Sequence, residues 1–133
     1  MLFQTWRKEN MMAASCGKKI NPFSVTFKST RTASDFYTYN HAVELRTGIY
    51  QDALWVWIRV TVRRVSNYAV GEAVQLRTPC GTTNFLRYGN ASNAVAGSVG
   101  CTAAICLGQP ASLTTITYSG VASGDFATKT ARV

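Results

Sequence analysis

The chain has 133 residues, enough for one domain with a core that holds without staples. Its 47 % apolar content is ordinary, but charged residues make up only 15 %, against about 25 % in typical soluble domains. Fourteen Lys and Arg face six Asp and Glu, a formal charge of +8, which attracts polyanions and speaks to partners rather than to fold.

Residues 1–21 stand apart. They hold Arg7, Lys8, Lys18 and Lys19 against the single acid Glu9, with no period of 2 or 3.6. This reads as a basic, flexible N-terminal arm. A short helix fits residues 9–15, where Met and Ala favour it. The apolar start precedes the charges, unlike a signal peptide, so the chain is expected to be soluble and intracellular.

From Pro22 onward the chain reads as strands. Phe23, Val25 and Phe27 alternate with polar residues. Residues 29–34 read as a polar turn. Residues 35–46 form the next strand, with Thr47-Gly48 as its end. Segment 54–65 is the most informative. Leu54, Val56, Ile58, Val60 and Val62 take every second position, with Trp55, Trp57, Arg59, Thr61 and Arg63 between them. A helical period would scatter the arginines into the aliphatic stripe, so this is a strand with an aliphatic core face.

Beyond it, Ser66-Asn67 is a turn and 73–77 a short strand before Pro79. Residues 78–100 read mainly as loop through Gly81, Gly89, Gly97 and Gly100, with a short strand at 84–88. Residues 101–107 are small and apolar, Gly108-Gln109-Pro110 is a turn, and 112–118 and 125–133 are further strands. Short strands between Gly and Pro loops give an all-β fold: a single-domain antiparallel jelly-roll sandwich over 22–133, preceded by the arm.

Catalytic chemistry is missing. The one histidine, His41, sits in a strand, and Glu44, three positions on, points to the opposite face. No nucleophile elbow, phosphate loop or dinucleotide fingerprint occurs. Cys16, Cys80, Cys101 and Cys106 form no C-x-x-C pair, so neither a zinc site nor a disulfide scaffold is expected. They read as free, mostly buried thiols. No catalytic residue, metal, cofactor or small-molecule substrate is expected. No apolar block or basic amphipathic helix calls for a membrane.

The basic residues fall into two groups. Arg7, Lys8, Lys18, Lys19, Lys28 and Arg31 are the candidate nucleic-acid contacts, since Lys and Arg on phosphates supply sequence-independent affinity. Arg59, Arg63 and Arg64, with Arg77, lie in the central sheet. Trp55 and Trp57 beside Arg59 suit either stacking on unpaired bases or burial against a neighbouring element or subunit. The second alternative makes Trp55, Trp57, Arg59 and Arg63 a subunit interface.

The run from Asp52 through Trp55-Val-Trp57 and Arg63-Arg64-Val65-Ser66, then Tyr68-Ala-Val-Gly71 to Thr78-Pro79, resembles the small single jelly-roll coat proteins of plant satellite RNA viruses, of the satellite panicum mosaic virus-like kind. The loop Tyr88-Gly-Asn-Ala-Ser-Asn93 is similar to one in the same group. The resemblance spans residues 23–121. It implies a structural capsid protein, self-assembling into an icosahedral shell around single-stranded RNA that the arm basics contact. The location implied is the virion, with the host cytoplasm during assembly. This chain is shorter than those coats and its arm less densely basic. A rival reading is a monomeric or dimeric nucleic-acid-binding β-barrel. A secreted sandwich would need disulfides, and an RNA-phage coat would need C-terminal helices.

Overall fold

The computed structural model of the chain describes residues 16–37, 41–64, 74–88, 96–108, 115–119 and 128–132. Over these residues the protein is antiparallel β-structure with one 3₁₀ turn, Pro22–Ser24, and no α-helix. The strands are β1 (Lys19–Ile20), β2 (Lys28–Tyr37), β3 (His41–Tyr50), β4 (Ala53–Val62), β5 (Gln75–Thr78), β6 (Gly81–Tyr88), β7 (Val99–Thr102), β8 (Ala104–Gly108), β9 (Thr115–Ser119) and β10 (Thr128–Arg132). The reading as an all-β chain therefore stands.

The strands make one curled sheet, a half-barrel. Its spine is β2–β3–β4, which continues through β7 and β8 to β6, β5, β9 and β10. The order β4–β7–β6–β5 is a Greek key: three successive antiparallel neighbours, with the preceding strand beside the last of them. The curl brings β10 alongside β2.

β4 is the central strand, and its period of 2 sets the layers. Leu54, Val56, Ile58, Val60 and Val62 meet Val43, Leu45, Leu76 and Ile105 inside the curl. The opposite face carries a second apolar cluster of Ala53, Trp55, Trp57, Cys101, Ala104 and Cys106. This cluster is possible because of a bulge. β4 pairs Trp55 with Cys106 but Arg59 with Cys101, so the partner strand gains a residue at Ala103 and both cysteines face outward. The buried Thr102 hydroxyl makes up the lost ladder bond by accepting from the Ile58 N–H at 3.0 Å.

Several local expectations are corrected. Residues 29–34 are not a turn but the body of β2, bent by register shifts near Ser29, which adopts a positive φ of 52°. Thr47-Gly48 does not end a strand: β3 runs on to Tyr50 and turns at Gln51-Asp52, both left-handed, straight into β4. Residues 23–27 do not form a strand; Asn21 caps the 3₁₀ turn there, its Oδ1 accepting from the Phe23 N–H at 2.9 Å. The short strand expected at 84–88 is present as the end of β6, which begins three residues earlier, at Gly81. The expectation that all four cysteines are thiols also fails: Cys16 and Cys80 form a disulfide, and Cys101 and Cys106 are free and buried. β1 belongs to the sheet, so the stretch read as an arm contributes a strand to it. The expected helix at 9–15, the turn at Ser66-Asn67 and most of the 88–93 loop lie outside the described residues.

Candidate nucleic-acid interface

The outer face of the sheet is organised by a strap. β1 pairs with β8 at one side, and β2 pairs with β3 at the other. The chain between them must therefore cross β8, β4 and β3. Four strand spacings are about 19 Å, and the offset from the Ala104 row to the Gly108 row adds about 13 Å along the strands, a diagonal of about 23 Å. Eight residue steps reach at most about 28 Å, and the 3₁₀ turn shortens them, so the strap has little slack.

What the strap covers is the tryptophan face. Phe27 stacks on Trp57 with centroids 4.4 Å apart and meets Tyr50 edge-on at 5.8 Å. The Trp55 indole N–H donates to the Tyr50 carbonyl at 2.9 Å. Trp55 is 3 % exposed and Trp57 6 % exposed. Of the alternatives open in the sequence, the neighbouring element is this chain's own strap. The indoles are filled from within and present no ring face for a base or a neighbouring subunit.

Beyond the strap the same face turns polar. Arg59 grips Glu44 across the β3–β4 pair, with Nε donating to Oε1 and Nη2 to Oε2, each at 3.0 Å. Thr32 on β2 completes the network. Its hydroxyl accepts from Arg46 Nη1 at 2.9 Å and donates to Glu44 Oε2 at 2.7 Å. Burial, and then the neighbouring Arg59 charge, pull the Arg46 pKa below its ordinary value, while Glu44 opposes them. Arg59 is thus committed within the chain. Arg63 is exposed and lies over the Tyr37 ring, 5.4 Å from its centroid.

The candidate nucleic-acid contacts sit at the two ends of the strap. Lys18 and Lys19 are exposed at its start, and Lys28 and Arg31 at its far end. Lys19, Ile105, Val56, Thr47 and Arg31 share one row across the sheet, which puts the two groups about 19 Å apart along it. Arg7 and Lys8 lie outside the described residues.

His41 is fully buried at the start of β3, opposite Val62. Among the described residues no group of His, Cys, Asp or Glu is placed to hold a metal ion, and no helix is long and apolar enough to cross a membrane. Burial pushes the Cys101 thiol up to about 12 and raises Cys106 as well, though the Gly108 N–H and Lys18 oppose the second shift. Neither is a ready nucleophile.

Sequence reasoning missed three elements of this face: the Glu44–Arg59 grip, the Cys16–Cys80 bond and the strap. A signal existed for the first. Reading Gln51-Asp52 as a hairpin turn fixes the register Tyr50 to Ala53, and with it Glu44 opposite Arg59. No family model, curated protein or solved structure matches the chain.

Proposed function

We propose that this chain is a structural capsid subunit: a jelly-roll shell domain with a basic N-terminal segment whose end, from Cys16 through β1, is tied into the sheet, packaging single-stranded RNA. The observation that carries the reading is the excess of fourteen basic over six acidic residues on a sheet of Greek-key order. The exposed Lys18, Lys19, Lys28 and Arg31 contribute to that charge beside the strap. Low charge density suits a subunit whose surface neighbours cover, and symmetric closure limits such contacts.

Because the tryptophans are covered, subunit contacts in this reading fall on the rim of the strap and on Arg63, rather than on Trp55 and Trp57. The curl of the sheet toward closure favours a second reading, a monomeric or dimeric nucleic-acid-binding barrel.

Size separates the two. The purified chain, examined by light scattering and negative-stain microscopy at low and high salt, is expected to form closed particles holding nuclease-protected RNA. A monomer or dimer under every condition, with no particles, overturns the capsid reading and leaves the barrel.

A further inference from the structure

We propose that the β6–β5–β9–β10 half of the sheet binds the phosphodiester backbone of single-stranded RNA, with Arg77 as the anchoring side chain. This site is separate from the strap-end lysines, and it rests on the nucleic-acid reading above.

Charge distinguishes this half of the sheet. Its four strands contain no Asp or Glu, yet they carry Arg77, Arg87, Lys129 and Arg132. On the β2–β3–β4 side, by contrast, Glu44 neutralises Arg59. No carboxylate in these strands therefore offsets Arg77, while Lys129, in the row of Tyr118 and the buried Leu76, belongs to the other face of the sheet.

Geometry distinguishes Arg77. It is exposed, and its Nε donates to the Gln75 Oε1 at 2.8 Å. Gln75 is held in turn, its Nε2 donating to the Asn84 Oδ1 at 3.1 Å across the β5–β6 pair. The ladder fixes the guanidinium plane through Nε, while the Nη groups make no other bond among the described residues. A guanidinium oriented this way offers paired donors to a tetrahedral oxyanion at small entropic cost, and phosphate is the anion that fits the fork.

The neighbours suit a ribose backbone. Thr82 stands opposite Arg77 and Asn84 opposite Gln75, both exposed. A hydroxyl and an amide beside a phosphate site are the groups that pair with a ribose 2′-hydroxyl. The row Thr82, Arg77, Thr117, Thr130 crosses all four strands, a track of about 14 Å. No described aromatic residue projects beside Arg77 for bases to stack on, so affinity here comes from the backbone and depends on salt.

The test is fluorescence anisotropy of a labelled oligouridylate with the full chain over a series of NaCl concentrations. Arg77→Ala is expected to weaken binding about tenfold and to reduce the log–log salt slope by about 0.7, the loss of one phosphate contact on a single strand. Arg77→Lys keeps the charge without the fork and is expected to fall between. An oligothymidylate of equal length is expected to bind several-fold more weakly. Because Arg77 is exposed, the variants should melt like the parent. If Arg77→Ala leaves affinity and slope unchanged while Lys18→Ala/Lys19→Ala lowers both, this site is overturned and the nucleic-acid reading survives. Equal binding of the two oligonucleotides overturns the assignment to RNA. If the parent chain binds neither at low salt, the nucleic-acid reading falls with it.

Discussion

Phe27 lies nearly parallel to Trp57, its ring tilted by 23°, over a hollow that exists because residue 48 has no side chain. A Cβ on Gly48 would stand 2.8 Å from the Phe27 Cβ. Glycine inside a strand ordinarily weakens it by about 0.5–1 kcal/mol relative to alanine. Here close approach of the strap outweighs that cost.

Gly48→Ala is therefore expected to destabilise the protein by about 1–3 kcal/mol, as overpacking does. In a Phe27→Gly background, which removes the Cβ as well as the ring, the hollow is empty, and the same change should become neutral or stabilising. Urea melts of the four proteins in the cycle measure this. Equal effects of Gly48→Ala in both backgrounds would mean that the strap does not rest on residue 48.

The strap is fastened at its start by the Cys16–Cys80 bond, which joins positions 64 apart in the chain. Chain-entropy arguments put such a closure at about 4 kcal/mol, well above the roughly 1 kcal/mol that an aromatic stack adds beyond burial. Alkylation in denaturant without reductant should label only Cys101 and Cys106, and with reductant all four cysteines. Cys16→Ser/Cys80→Ser should lower the urea midpoint markedly and raise the accessibility of the Trp55 and Trp57 fluorescence to quencher. Four labelled thiols without reductant would remove the bond from the account.

How much of this was legible follows from the range of each signal. The aliphatic stripe of β4 could be read because its five residues sit on one strand and obey one period. The identity of what covers Trp55 and Trp57 could not, because Phe27 reaches them from across two strand pairings. Gly48 read as a strand end for the same reason: a glycine that admits a distant side chain looks locally like a break. Cys16 and Cys80 gave no spacing cue, since a bridge over so long a loop leaves no local pattern. Lys18, Lys19, Lys28 and Arg31 were legible as exposed basics. Their split onto opposite ends of the strap depends on the order β1–β8–β4–β3–β2, which no single segment encodes.

The Glu44–Arg59–Thr32–Arg46 network carries two cations on one carboxylate. Arg59 is 36 % exposed, so solvent screens the pair. Glu44→Gln is expected to cost only about 1 kcal/mol at low salt, and less in concentrated NaCl. Thr32→Val removes a hydroxyl that accepts from Arg46 and donates to Glu44, and should cost about as much with little salt dependence. Thermal melts at two salt concentrations distinguish them. A Glu44→Gln penalty that does not shrink with salt would show that the grip acts through packing rather than charge.

Cys101 lies buried beside Trp57 and Ala104, and burial moves its thiol from an ordinary value near 9 up to about 12. The folded chain then holds that proton where the unfolded chain has released it. Stability should be unaffected by this group below pH 9 and should fall as pH rises from 9 toward 12, by at most about 1.4 kcal/mol per unit. Other groups titrate in the same range, so the comparison is with Cys101→Ala. That variant should be less stable at neutral pH because of the space it leaves, but its stability should decline less steeply above pH 9, so that the two curves converge. Parallel curves from pH 8 to pH 11 would mean that the thiolate meets no extra penalty in the fold, and that the second apolar cluster admits water.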